Sequence, residues 1–163
     1  MESSPKQDMR DVFEALCSKH LNILLDDFAF KVVSVEKDNY GCFITCRNNT
    51  TALKASLCPL DGQIIICIYR IVDGKIPKYP LFFDRHAEFL VFSLDTLSKL
   101  KTGKFIQQEQ KDLFDAKSIE RIVKEYAELL KQYGAECLRG DFSILPQLKE
   151  IVARQAKELE HER

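Results

Sequence analysis

The chain has 163 residues, of which 45% are hydrophobic and 30% are charged. This composition is typical of a globular protein and excludes extensive disorder, because enough apolar surface is available to form a core. Lysine and arginine total 24 against 25 aspartates and glutamates, and the net charge of −1 argues against nucleic-acid binding through a general basic surface. The length predicts a single domain over residues 1–163, with flexible ends at about 1–6 and 160–163.

The N-terminal segment and the cysteines predict the cellular compartment. Residues 1–10 are polar and lack the apolar segment of a secretory signal, which predicts a cytoplasmic protein. The longest apolar stretch, residues 64–69, is far shorter than the roughly 20 residues that span a bilayer, so no membrane contact is expected. The six cysteines should then be reduced, and most should be buried because a free cysteine behaves as a small apolar residue.

The hydrophobic pattern changes from a helical to a strand period near residue 30. Apolar residues recur every three or four positions from Met9 onward, which predicts an amphipathic helix over about 7–25. In the following segments apolar and polar residues alternate, or β-branched and aromatic residues are frequent. These segments predict four strands, over 30–38, 40–47, 50–58 and 63–71.

The turns between these strands predict how they pair. Asn48-Asn49 is typical of a two-residue hairpin turn, which would place Ile44 opposite Leu53. Residues 59–62 form the next predicted turn. One apolar face results, with Cys42 beside Ala55, and with Ile64, Ile66 and Ile68 beside Leu57, Ala55 and Leu53. The opposite face, which includes Phe43 and Tyr69, is mixed, and it predicts either cover by a later helix or an exposed contact surface.

Three helices are predicted after the strands. A short helix begins at Ser93 and ends at Gly103, and a longer one carries apolar residues from Ile119 to Tyr133 and ends at Gly134. A final helix contains Leu145, Leu148, Ile151, Val152 and Leu159. The predicted fold class is therefore α+β: an N-terminal helix, a four-stranded antiparallel meander, and C-terminal helices packed on the sheet.

The sequence contains no pattern that is specific for a metal, a cofactor or a catalytic site. It has no Cys-x-x-Cys pair, and Cys42 and Cys46 would lie roughly 13 Å apart along a strand. The three histidines are scattered, the nucleophile motif Gly-x-Ser-x-Gly is absent, and each glycine is isolated. We therefore expect neither metal nor cofactor, and we assign no catalytic residue.

The densest polar segment is Asp84-Arg85-His86-Ala87-Glu88, which lies between Phe82-Phe83 and Phe89. A histidine between two carboxylates suits acid–base chemistry, because neighbouring negative charge raises the pKa of an imidazole. Charges in a loop are more often simply solvated. This segment therefore predicts either an acid–base site or an ordinary charged surface.

The C-terminal third carries a resemblance to other proteins. Residues 126–130, 133–134 and 138–143, followed by Leu148 and Arg154, are similar to a loose group of short uncharacterised bacterial proteins. Such small α+β proteins resemble immunity proteins, which neutralise a toxin by binding it. The resemblance implies a charged surface that contains aromatic residues, since aromatic and arginine side chains dominate interfaces. The candidates for that surface are Tyr79, Phe82, Phe83, Asp84, Arg85 and Glu88.

These observations predict a cytoplasmic protein-binding module of possible immunity type, whose partner is an unidentified protein. The alternative is a small-molecule-binding protein or an enzyme that uses residues 84–88. A homodimer formed through the long helices is compatible with either hypothesis.

Overall fold

A computed structural model of the protein describes residues 8–59, 61–80 and 82–162. The predicted flexible segment 1–6, the predicted helix start at residue 7, Leu60 of the predicted turn, and Arg163 lie outside these residues. The helices are α1 (Met9–Asp27), α2 (Leu94–Thr102), α3 (Ala116–Leu129), α4 (Ala135–Leu138) and α5 (Leu145–His161), and the strands are β1 (Lys31–Asp38), β2 (Gly41–Arg47), β3 (Thr51–Cys58), β4 (Gln63–Arg70) and β5 (Val91–Ser93).

The predicted α+β class is confirmed, and in the part of the chain that the structure describes the sheet has five strands in the antiparallel order β1-β2-β3-β4-β5. The sequence prediction of four strands was wrong because it missed β5. This strand pairs Tyr69 with Val91 and Cys67 with Ser93, then continues directly into α2 at Leu94. Three residues are too few to show a strand period. Among the described residues, no helix has both the length and the apolar character needed to cross a membrane.

One face of the sheet and the helices share a single apolar core. Phe13 of α1, Ile66 of β4 and Leu97 of α2 are fully buried in it, as are Ile122 and Tyr126 of α3. Buried side chains recur at every second residue of β2, β3 and β4, as expected for strands that are covered on one side. The predicted apolar face is therefore the face that carries the helices.

The strand register is partly as predicted. The β3–β4 pairs Leu57–Ile64, Ala55–Ile66 and Leu53–Ile68 are confirmed. The β2–β3 prediction was wrong by two residues, because Ile44 lies opposite Ala55 and Cys42 opposite Leu57. The turning residues are 49 and 50 rather than 48 and 49: the amide of Asn48 donates to the carbonyl of Thr51 (3.0 Å). A shift of two leaves every side chain on its predicted face.

Part of the second face of the sheet is covered by a connection rather than by a helix. Ala52, Cys67, Tyr69 and Val91 form a small buried cluster there. The residues packed against this cluster include Ile71 and Ile76, which follow β4 along the chain, and Leu90, which precedes β5. The long β4–β5 connection therefore folds back over the strand that it leaves.

The prediction that the helix containing Ile119 ends at Gly134 was wrong, because α3 does not stop there. It continues through a π turn (Leu130–Gly134) into α4, and Gly134 has a right-handed φ of −96°. A Cβ at Gly134 would lie 2.8 Å from Cδ1 of Leu130, so close packing against this side chain favours glycine here, rather than a helix end. The chain turns instead at Gly140, whose φ is +94°. The predicted start and stop of α2 are confirmed, since Ser93 caps its amides and Gly103 has φ +80°.

Candidate functional site

Five of the six predicted partner-binding residues line one cavity of about 400 Å³. They belong to the β4–β5 connection, and we name its residues 77–80 and 82–89 the aromatic loop. The opposite wall is formed by Val152 and Gln155 of α5, and Ser93 and Thr96 close the cavity at the start of α2. The loop residues that line it from the predicted set are Tyr79, Phe82, Phe83, Asp84 and Glu88.

Local chemistry explains why this segment is a loop that stands beside α5. Pro77 and Pro80 cannot donate to a strand ladder, which ends regular pairing. Asp84 then forms a tight turn: its carbonyl accepts from the amide of Ala87 (3.2 Å), and its Oδ1 accepts from the amide of His86 (2.9 Å). Nζ of Lys149 on α5 lies 3.5 Å from the carbonyl oxygen of Ala87. The turn is thus held against the helix.

The aromatic loop exposes large apolar side chains. Phe82 is 75% exposed and Tyr79 is 58% exposed, whereas Phe83 and Phe89 are half-buried at the cavity wall. Partial burial raises the pKa of the Tyr79 phenol above its ordinary value, with a smaller effect from Cys67, so Tyr79 is neutral at physiological pH. Two exposed aromatic rings beside a cavity are typical of a surface that binds another molecule.

Arg85, the sixth predicted residue, lies outside that cavity. It lines a neighbouring groove of about 240 Å³ together with Lys149, Arg154 and Lys157 of α5. Phe83 lines both spaces, so the groove and the aromatic cavity adjoin. We name this space the cationic groove, because among the described residues four positively charged side chains line it together with one carboxylate, that of Glu150.

The geometry does not favour acid–base chemistry at residues 84–88. The carboxylate of Asp84 accepts from the backbone of His86, and within the described residues the His86 ring forms neither a hydrogen bond nor an ion pair. The histidine that does contact a carboxylate is His20, whose Nε2 lies 3.0 Å from Oε1 of Glu120. That contact joins α1 to α3, and the hydrogen bond from His20 is the main reason that the pKa of Glu120 is lowered.

The sequence analysis missed a buried polar cluster. The hydroxyl of Tyr126 lies 3.0 Å from Oδ2 of Asp95 and 3.0 Å from the carbonyl oxygen of Ile64. The side chain of Gln108 accepts from the Ile64 amide (2.7 Å) and donates to its carbonyl (2.8 Å). It therefore occupies hydrogen-bonding positions of β4 that the short strand β5 does not reach. The four residues come from separate elements, and chain spacing alone gives no signal of their contact. Their mutual bonds indicate a structural role.

Asp95 gives this cluster a testable pH dependence. Burial raises the pKa of its carboxyl, an effect that outweighs the hydrogen bond from Tyr126. The folded state therefore binds this proton more tightly than the unfolded state, and the stability of the wild type relative to Asp95→Asn should rise as pH falls from neutral to about 4. Urea unfolding at several pH values measures this difference.

Asp115 supplies the control with the opposite sign. It caps α3, and its pKa is lowered, chiefly by the hydrogen bond from the side chain of Ser118. The advantage of the wild type over Asp115→Asn should therefore shrink as pH falls. If the stability differences of the two variants changed with pH in the same direction, this would contradict the assignment of Asp95 as a carboxyl whose charged form is destabilised by burial.

The remaining polar groups do not form a metal site. Within the described residues, no three histidine, cysteine, aspartate or glutamate side chains lie close enough together to hold a metal ion. All six cysteines carry free thiols, and five of them are buried, as the sequence predicted. Burial raises the pKa of Cys46 and Cys67 to about 12 and that of Cys137 to about 11. These thiols are protonated and unreactive at neutral pH.

A second exposed apolar patch lies on β1, which forms one edge of the sheet. Val32 and Val33 are each 53% exposed. A bulge interrupts the strand between Val32 and Ser34, and Lys37 extends to Asp11 and Glu14 of α1. Bulges and inward-directed lysines protect edge strands from pairing with other chains. This patch is therefore a weaker interface candidate than the aromatic loop.

Comparison with known proteins gives no further guide to the site. No family model, no curated protein and no solved structure matches the chain.

Proposed function

We propose that the protein is a protein-binding module whose contact surface consists of the aromatic loop and the adjoining face of α5. The observation that carries this proposal is the 75% exposure of Phe82 at the rim of a cavity of about 400 Å³. The resemblance noted in the sequence extends the proposal to an immunity-type protein, which acts by binding and inhibiting a toxin. A purely steric function of this kind needs no catalytic group.

The energetics support a binding role for the exposed rings. A partner that covered Phe82 would gain about 2 kcal/mol from the removal of its apolar surface from water. Exposed aromatic side chains next to a cavity are the usual anchors of protein interfaces, where a few residues supply most of the affinity. The Asp84 turn and its contact with α5 hold the loop in place, which reduces the entropy that binding would cost.

The cavity volume also supports the alternative of a small-molecule site. A volume of about 400 Å³ lies at the lower end of the range for ligand pockets. Its polar lining includes Asp84, which is already engaged in the turn, and Glu88. The protein-binding proposal is better supported because Phe82 lines the cavity but is 75% exposed, so a ligand small enough to lie inside would leave much of this ring in water.

Capture experiments with matched variants test the proposal. The tagged protein is incubated with a lysate of its source organism, and captured proteins are quantified by mass spectrometry. We expect one stoichiometric partner, with capture reduced about tenfold or more by Phe82→Ala. Phe114→Ala is the control, because Phe114 is 64% exposed but lies on the 3₁₀ helix Gln110–Phe114, outside the residues lining the cavity.

Two outcomes would contradict the protein-binding proposal. Equal loss with Phe114→Ala would show non-specific adhesion through exposed aromatic rings. Failure of the folded wild type to capture any partner would favour the small-molecule alternative, and a metabolite screen by thermal shift would follow.

A further inference from the structure

We infer that the bound partner segment is an acidic peptide that carries one apolar anchor residue. This inference rests on the proposed protein-binding function. The anchor enters the cavity between the aromatic loop and α5, and the carboxylates of the peptide lie along the cationic groove.

The first argument is the uncompensated charge of the cationic groove. Within the described residues its lining contains Arg85, Lys149, Arg154 and Lys157 but only one carboxylate, Glu150, whereas the whole chain has a net charge of −1. Over the part of the chain that the structure describes, none of these four cations forms an ion pair. A local positive surface of this kind attracts negatively charged partners.

Other cations of the protein show the contrast. Lys37 pairs with Asp11 and with Glu14, and Arg121 lies within 3.1 Å of Glu125 and 3.5 Å of Asp112. Those cations already have carboxylate partners within the chain. The groove cations differ from these in lying together without an ion pair, with Glu150 as a carboxylate beside them.

The second argument is the length and shape of the site. Lys149 and Lys157 are eight positions apart on one helix, which corresponds to about 12 Å along its axis. An extended peptide covers that distance with about four residues. Because Phe83 lines both spaces, a short segment can place its apolar side chain in the cavity and its acidic residues along α5.

The composition of the cavity favours a peptide over a nucleic acid. Asp84 and Glu88 line the aromatic cavity with a single cation, Lys78. A phosphate backbone that reached the aromatic rings would meet these carboxylates, whereas an uncharged side chain would not. Acidic groups of a ligand are therefore accommodated in the cationic groove and not in the aromatic cavity, as the proposed peptide requires.

A phage-displayed library of random 12-residue peptides is the probe. We expect the selected peptides to combine a net negative charge with an aromatic or aliphatic residue. The double variant Arg154→Glu/Lys157→Glu should weaken their binding about tenfold or more, measured by fluorescence anisotropy. Lys149 is left unchanged because it contacts the carbonyl of Ala87 in the aromatic loop. Lys117→Glu/Lys131→Glu changes the net charge equally but affects exposed residues that are not part of the groove, and it should leave binding within about twofold. Circular dichroism checks that both variants remain folded.

Several results would overturn the acidic-peptide inference. Selected peptides that are neutral or basic, or that bind the groove variant unchanged, would contradict it while leaving the protein-binding proposal intact. Failure to select any peptide would also contradict it, and lysate capture would then judge the proposed function independently. Tighter binding of a 20-nucleotide single strand than of any peptide would assign the groove to nucleic acid. A dimer in sedimentation that the groove variant abolishes would assign it to a second copy of the chain.

Discussion

Replacement of Gly41 by alanine should cost at least about 4 kcal/mol of the free energy of unfolding. Gly41 opens β2 with a φ of +152°, and a Cβ at this position would lie 1.9 Å from the carbonyl oxygen of Leu57 on β3. Neither backbone can move away without breaking the β2–β3 ladder, in which Cys42 pairs with Leu57. Since whole domains have only about 5–15 kcal/mol of stability, this loss would remove a large share of the total. Urea denaturation followed by circular dichroism measures the loss.

Gly74→Ala separates steric exclusion from conformational strain. Gly74 also has a positive φ, +74°, but no atom lies within 4 Å of the position that a Cβ would take. This variant should therefore lose only about 1 kcal/mol, the usual cost of a left-handed conformation for a residue other than glycine. Equal losses at Gly41 and Gly74 would show that contact with Leu57 is not the cause.

Replacement of Asn48 by alanine should destabilise the protein by about 3 kcal/mol, because it breaks hydrogen bonds in three parts of the fold. Nδ2 of Asn48 donates to the carbonyls of Phe28 (3.0 Å) and Leu138 (2.9 Å), and Oδ1 accepts from the amide of Thr51 (2.9 Å). The side chain thus joins the end of α1, the β2–β3 turn and the end of α4. Thermal and urea unfolding should both report the loss.

Two further variants distinguish the donor from the acceptor function of Asn48. Asn48→Asp retains an acceptor for the turn, but it places a carboxylate oxygen against the carbonyl oxygens of Phe28 and Leu138. Because these oxygens repel each other, the loss should at least equal that of Asn48→Ala. Asn49→Ala changes the adjacent exposed residue and should alter stability by less than about 0.5 kcal/mol. Wild-type stability for Asn48→Asp would contradict the proposed link between the turn and the two helices.

The hairpin that contains Asn48 shows how far a local pattern predicts pairing. The alternation of apolar residues correctly assigned each side chain of β2 and β3 to a face of the sheet. It did not determine the register, because a shift by two residues preserves every face. The bonds from Asn48 to Phe28 and Leu138 hold this asparagine at the end of the ladder, and both partners are distant in sequence.

At the candidate site, too, the sequence predicted one part of the structure and missed another. The sequence singled out Tyr79, Phe82, Phe83, Asp84 and Glu88 by their composition, and the structure places all five at one cavity. The sequence analysis missed the opposite wall, formed by Val152 and Gln155, and the cations of α5 beside it. No local signal joins residues about 70 positions apart, so the cavity and the groove were not predictable.

The sequence by itself determined the elements whose causes are local. Hydrophobic periodicity set the α+β class and the faces of β2, β3 and β4, and Ser93 and Gly103 set the ends of α2. Tertiary contacts decided the β2–β3 register, the three-residue strand β5 and the continuation of the helix past Gly134. They also decided which side chains face Arg85. The physical reason is that periodicity and capping act within a few residues, whereas register and cavity walls depend on contacts between distant segments.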